Sequence, residues 1–236
     1  DQLYASHSVD LNNKFQVSAD IYGVDIVHPI PDFAHTQFLM CLGSNPVISQ
    51  MSVVSVINPL EKLQAIEARG GKVVIVDPRR TETAAKVGEH VFIHPGTDAF
   101  FLLALLHVLH HELAFRAPSM DKHIEGADIL LNAAREWTPE RVSSISGISS
   151  TVIRRLAQQY HNANGAALYM STGVNMGPFG SIAYWVLQGI NILSGNLDKR
   201  GGLLVPEGAI DWLTLAQRVI ASDAKVKTSQ GWHKVA

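Results

Sequence analysis

Two short β-branched runs, 73–76 (VVIV) and 91–93 (VFI), constrain this chain more than any other feature. Each is too short for a helix, and each is closed by a Pro-containing turn, which is how buried parallel strands read. Both ends stop on acids, Asp77 after the first run and Asp98 shortly after the second. In an open parallel α/β sheet, ligands sit beyond the carboxyl ends of the strands, so the two acids are expected to face one crevice. A carboxylate can accept paired hydrogen bonds from the hydroxyls of a ribose or from the ring N–H and amino group of a guanine. For Asp98 a second reading stands beside that one. In HPGTD, Thr97 can cap the following helix, and Asp98 in its first turn can simply complement the helix dipole.

Further strands are expected at 37–42, closed by GSNP, and at 166–170, running into TGVNMGPFG. Between them, Pro59 starts a helix that ends at Gly70 and Gly71, which makes one strand–helix–strand unit. The stretch FFLLALLHVLHHELAF is apolar on nearly every side through Leu106 and predicts a buried core helix. His107 and His111, four residues apart on it, have no carboxylate or Cys in a matching pattern and read as surface histidines. Helix starts at Thr138-Pro139-Glu140 and Ser149-Ser150-Thr151, and a helix over 181–193, complete the scaffold. Strand ends at Gly43, Asp77, Pro95 and Gly173 are expected along one edge of the sheet.

The fold class is therefore α/β, a Rossmann-like parallel sheet with flanking helices, followed by part of a second α/β domain. The divisions read as an irregular entry segment from a preceding domain over 1–34, a nucleotide-binding domain over 35–170, which the resemblance given below makes dinucleotide-binding, and the partial second domain over 171–236. Residue 1 reads as a cut in a longer polypeptide, because the polar opening DQLYASHSVDLNNKF has neither an initiator Met nor a signal-peptide pattern.

Composition narrows the functional classes. A chain of 236 residues with 47% hydrophobic and 17% charged residues can bury a sizeable core. A net charge of -2 with no basic run gives no support for nucleic acid. The longest apolar run, 99–106, is far shorter than the roughly 20 residues of a membrane span. Cys41, the single cysteine, excludes an internal disulfide, a Cys-ligated iron–sulfur cluster and a thiolate zinc site within this chain and reads as core filler. GSNPVIS offers a glycine for close backbone approach and N–H groups suited to a phosphate. GxGxxG and the triphosphate-cradling P-loop are both missing, so neither a nicotinamide site nor a GTP-binding module has support.

Four runs in order, GSNPVIS, VIVDPRRTETA with HPGTDAFFLLALLHVL, TGVNMGPFG, and LSGNLDKRGG, resemble the molybdopterin oxidoreductases of the dimethyl sulfoxide reductase superfamily. They span 39–202. The resemblance implies that the α/β unit grips a guanine dinucleotide arm of bis(molybdopterin guanine dinucleotide), with molybdenum. It makes Gly43, Ser44 and Asn45 the phosphate and pterin-side loop, and Asp77 and Arg79 the contacts at the second strand end. Gly96, Thr97 and Asp98 become the guanine contacts, and Thr172, Gly173, Asn175 and Met176 a loop near the pterin. Met176 departs from the Gln common there and removes a hydrogen-bond partner.

The metal ligand of that family lies upstream of GSNP, which points to Ser8 or Asp10 as an oxygen donor. The resemblance further implies that an iron–sulfur cluster, the second dinucleotide site and any export signal belong to other parts of a longer parent polypeptide, so the compartment is left open. The expected partners are the remainder of that parent and an electron-transfer subunit, and the segment alone is expected to be inactive. A non-catalytic relative, such as the large iron–sulfur subunit of respiratory complex I, is the rival reading. Retention of both GSNP and PGTD weighs against it.

Overall fold

The computed structural model describes residues 10–25, 27–51, 54–115, 123–206, 225–228 and 231–234. Residues 7–205 form one compact unit, and residues 1–6 with 206–236 form another. Within the second unit, strands Lys225–Thr228 and Gly231–Lys234 pair antiparallel, Lys225 opposite Lys234.

In chain order the main unit contains α1 (Asn12–Tyr22), β1 (Ile30–Pro31), β2 (Phe38–Leu42), α2 (Pro46–Ser49), α3 (Pro59–Ala68), β3 (Lys72–Val76), β4 (Glu89–Val91) and α4 (Asp98–His107), which runs on into a π-helical turn over Val108–Glu112. Then come α5 (Ala127–Ala134), α6 (Pro139–Ser146), α7 (Ser150–Asn162), β5 (Ala166–Met170), α8 (Thr172–Asn175), α9 (Gly180–Leu193) and β6 (Leu203–Leu204).

Strands β2 to β5 make a four-stranded sheet in the order β4-β3-β2-β5, with every pairing parallel. Phe38 lies opposite Lys72 on one side and Ala166 on the other. Every residue of β2 and β5 is buried, which follows from helices covering both faces. On one face Met40, Leu42, Val74, Val76 and Leu168 pack with α4, α7 and α9. On the other, Leu39, Cys41, Val73 and Ile75 meet Leu63 and Ile66 of α3. Cys41 is fully buried, and that burial pushes its thiol up to about 12. Helix α4 is buried all round from Phe101 to Leu106, as its unbroken apolar sequence requires. The starts of α6 and α7 are capped by the Thr138 and Ser149 side chains, which accept from Arg141 N and Val152 N.

One expectation is corrected: the strand expected over 91–93 lies over Glu89–Val91. Val91 is the last residue to pair, opposite Val76, and the His94 N–H turns away to the Ser146 carbonyl at 2.8 Å. The strand opens on polar residues that a β-branched count passes over, with Glu89 bound to Arg155 through Nη1 at 2.9 Å. Packing runs on across residue 170. Ala183, Val186, Leu187 and Ile190 of α9 share the core of the sheet, as does Val17 of α1, and the compact unit ends at 205.

Strand β5 lies at an edge of the sheet, and a buried side chain closes it. Asn191 of α9 accepts from Leu168 N at 3.1 Å and donates to Leu168 O at 3.2 Å, supplying both bonds of a missing neighbour strand. Asn191→Leu would keep the bulk and strand both groups. The expected loss is about 2–4 kcal/mol in chemical denaturation, from one donor and one acceptor left buried without partners. A loss below 1 kcal/mol would show that β5 does not depend on this bridge.

Candidate functional site

The order β4-β3-β2-β5 corresponds to strands 3-2-1-4 in sequence, so the direction of winding reverses between β2 and β5, and the loops leaving those two strands flank the switch point. Gly43 follows β2 with φ 52°, donates to Val76 O at 2.9 Å and accepts from Gly173 N at 3.0 Å. A Cβ at Gly43 would stand 2.7 Å from Val174 N, and one at Gly173 would stand 2.8 Å from Gly43 O. Only glycine allows the two loops to lie back to back.

That contact fixes what the neighbouring side chains can do. Ser44 is buried at 2% exposure, and its hydroxyl has no hydrogen-bond partner. Asn45 is engaged with protein: its Oδ1 accepts from Thr83 N and Oγ1 at 3.2 and 2.7 Å, and its Nδ2 donates to Glu82 at 2.7 Å. Asn175 donates to Asp10 O at 2.8 Å and takes the Asn13 amide on its own carbonyl at 3.2 Å. Its Oδ1 and the Asp10 Oδ1 are both buried without partners. Thr172 and Asn175 bound the one-turn helix α8, and Met176 after it is 60% exposed.

At the β3 and β4 ends, the Asp77 carboxylate accepts from Arg79 N at 2.9 Å, and the Asp77 N–H returns to Val91 O at 3.1 Å. Arg79 is exposed and pairs with Glu82 at 3.0 Å. Gly96, at φ 76°, turns the chain so closely against Pro178 that a Cβ would stand 3.3 Å from its ring, which brings the 96–98 turn beside the 176–179 loop. Thr97 does not cap α4, because its hydroxyl donates back to His94 O at 2.7 Å. Asp98 is 8% exposed, and its carboxyl is raised to about 6, chiefly by burial, with the nearby charge of Asp77 adding to the shift while its own backbone N–H opposes it. The charge of Asp77 is thus felt at Asp98 along the same edge.

Thus Gly43, Ser44, Asn45, Asp77, Arg79, Gly96, Thr97, Asp98, Thr172, Gly173, Asn175 and Met176 all lie along the carboxyl edge of the sheet or in the loops leaving it. Ser8 lies outside the described residues, whereas Asp10 is drawn beside Asn175. No group of three His, Cys, Asp or Glu suited to a metal occurs among the described residues. Sequence reasoning missed Asn13, Thr83 and His90. His90 donates through Nε2 to Asp77 O at 3.0 Å, and its Nδ1 is buried without a partner. Their polar side chains act across 13 to 162 residues of sequence, and no local spacing announces such contacts.

This set, acceptors for the most part, fits a large polar ligand that brings its own N–H and O–H donors. Unpartnered Ser44, Asn175 and Asp10 oxygens surround a glycine-lined backbone, and two carboxylates stand ready for N–H or O–H donors farther along the edge.

No family model matches the chain. Relatives in sequence include the alpha subunit of the F420-dependent formate dehydrogenase of Methanocaldococcus jannaschii, 26% identical over 75% of this chain and 25% of that protein. Formate dehydrogenase H of Escherichia coli is 29% identical over 72% of this chain and 23% of its own length. The molybdopterin-containing subunit ArrA of the arsenate respiratory reductase of Chrysiogenes arsenatis is 28% identical over 75% and 23%. Among solved structures, acetylene hydratase from Pelobacter acetylenicus superposes with a TM-score of 0.69 at 20% identity, over 82% of this chain and 25% of that one. The chain thus spans about a quarter of the length of the relatives it matches. No helix among the described residues is long and apolar enough to cross a membrane. Its relatives in sequence are molybdopterin oxidoreductases, formate dehydrogenases and a dimethyl sulfoxide reductase chain among them, and the chain is similar to that group while sharing its fold with a solved acetylene hydratase.

Proposed function

We propose that this chain is the part of a molybdenum oxidoreductase that grips a guanine dinucleotide arm of bis(molybdopterin guanine dinucleotide). The observation that carries the reading is the pair Asp77 and Asp98, two carboxylates coupled to each other at the crevice edge of a parallel sheet. Asp98, with Gly96 and Thr97 beside it, accepts from the base, and Asp77 accepts from the sugar hydroxyls while Arg79 supplies a cation at the rim. Gly43 and Ser44 approach the pyrophosphate and pterin, with Asn45 holding their loop to Thr83. Gly173 and Asn175 approach the pterin from the other side of the switch point, with Thr172 and Met176 flanking them. Asp10 is the oxygen donor placed for the metal, by its bond to Asn175 and its free Oδ1.

When bound, the group would supply redox or oxo-transfer chemistry on a small substrate. The chain's own residues bind it, orient it and keep water from the buried Ser44 and Asn175. The second arm, an iron–sulfur cluster and the electron-transfer subunit belong to the parent assembly in this reading. Metal and nucleotide analysis of the full-length protein tests it. Two guanines for each molybdenum are expected, and stoichiometric protein with neither would overturn it.

Two further outcomes follow from Asp98. In the cofactor-free protein, an unfolded carboxyl ionises near 3.8 and the folded one near 6, so the folded state holds the extra proton between these values. Stability should fall as pH rises through that window, by about 3 kcal/mol for a shift of this size, and remain lowered above it. Asp98→Asn should flatten that slope in denaturant titrations at pH 4 and pH 7. In the full-length enzyme the same change puts a donor against the guanine donors. Cofactor retention should weaken by about 1–3 kcal/mol, or roughly 5- to 150-fold, even though the apo protein is stabilised at neutral pH. A variant that keeps wild-type cofactor content would show that the base is read elsewhere.

A further inference from the structure

Lys14 of α1 is 4% exposed, yet its ammonium donates one hydrogen bond, to Met170 O at 2.5 Å, and otherwise lies over the rings of Tyr169 and Tyr184, 5.1 and 5.3 Å from their centroids. An ammonium has three N–H donors, so two are unused. Among the described residues no carboxylate pairs with it, and burial alone lowers its pKa to about 7. The ammonium opens on a cavity of about 20 Å³, room for one water-sized species.

His28 lines the same cavity. Its Nε2 is buried without a partner, while Nδ1 lies 3.4 Å from Ser18 Oγ. When Nδ1 accepts from that hydroxyl, Nε2 carries the hydrogen. The ring is kept neutral by burial and then by the charge of Lys14, which lower it to about 4. Gln188, also on the wall, has its Oε1 occupied by the Tyr22 hydroxyl at 3.0 Å. Donors therefore converge on the cavity from Lys14 and His28, and no residue lining it carries negative charge, Asp25 acting on His28 from outside the lining. A water would answer the donors and leave the buried cation uncompensated, whereas a small anion answers both.

We infer that this cavity binds one small monovalent anion of about chloride size, held between Lys14 Nζ and His28 Nε2. The site is distinct from the crevice of the two acids and does not depend on the identity of the cofactor. Its occupancy bears on the edge nevertheless. Lys14 holds α1 to the last carbonyl of β5, one residue before the loop that Asn175 ties to Asp10.

Chloride titration of the full chain tests the inference, with sodium gluconate keeping the ionic strength constant. Chloride should raise the melting temperature of the wild type in a saturable way. Lys14→Met should abolish the saturable rise, and His28→Phe should weaken it. An identical chloride response in wild type and Lys14→Met would place the effect on the surface and overturn the site. Crystals of the wild type soaked in bromide give a test free of any variant. An anomalous peak in contact with Lys14 Nζ is expected, and a water alone at that position, or an empty cavity in crystals that bind bromide elsewhere, would refute the proposal.

Discussion

The back-to-back contact of Gly43 and Gly173 is the constraint on which the rest of the carboxyl edge depends. Two loops leaving adjacent parallel strands usually diverge at a switch point. Here a backbone hydrogen bond of 3.0 Å joins them, with no space for a Cβ on either side. Closing the loops onto each other buries Ser44 beneath one and Asn175 beneath the other, so each loses solvent without gaining a full set of partners. A folded chain retains unpartnered buried oxygens only where something else compensates for them. Their concentration at one strand edge is the physical signature of a site completed by a ligand.

Helix α1 extends that logic into the segment ahead of the sheet. Val17 packs it into the core and Tyr22 ties its end to Gln188, while three polar contacts fix its start: Asn13 to Asn175 O, Asn175 to Asp10 O and Lys14 to Met170 O. These bonds attach the start of α1 to the same 170–175 loop that Gly43 positions. A displacement of that loop would move Asp10 with it, so Asp10 and the 170–175 loop behave as one mechanical unit. Placement of this kind, by side-chain amides reaching across 162 residues, gives precise geometry without a large apolar interface.

The sheet was legible because short apolar runs bounded by Gly or Pro have few alternatives, whether β-branched as at 73–76 or not as at 166–170. The edge strand at Glu89–Val91 was not legible at its true bounds. An edge strand needs only one paired side and tolerates Glu89 and His90 where a central strand would not. The glycine-rich loop at 171–180 serves close packing, with Gly173 against Gly43 and Gly180 against Asn175, so the core continues across it. The two acids were visible from their positions after strands. What the letters did not hold was their environment, because the repulsion between Asp77 and Asp98 arises from a turn that Gly96 folds against Pro178. Lys14 was invisible as well, since one lysine in a polar stretch reads as solvated until its helix is docked.

The coupling of the two acids separates the requirements of stability from those of function. A protein selected for its empty state alone would place Asn or Ser at position 98, where a buried carboxylate raises its own free energy at neutral pH. A crevice that must hold a base bearing two adjacent N–H donors gains from that same carboxylate, because the donors answer both the burial and the charge. Asp77 sharpens the difference: its charge makes ionisation of Asp98 harder in the empty protein, and a ligand that hydrogen-bonds both acids relieves the two together. Under the proposed function, ligand affinity at this edge draws on repulsion already present in the empty fold, which a helix-dipole role for Asp98 would leave without purpose.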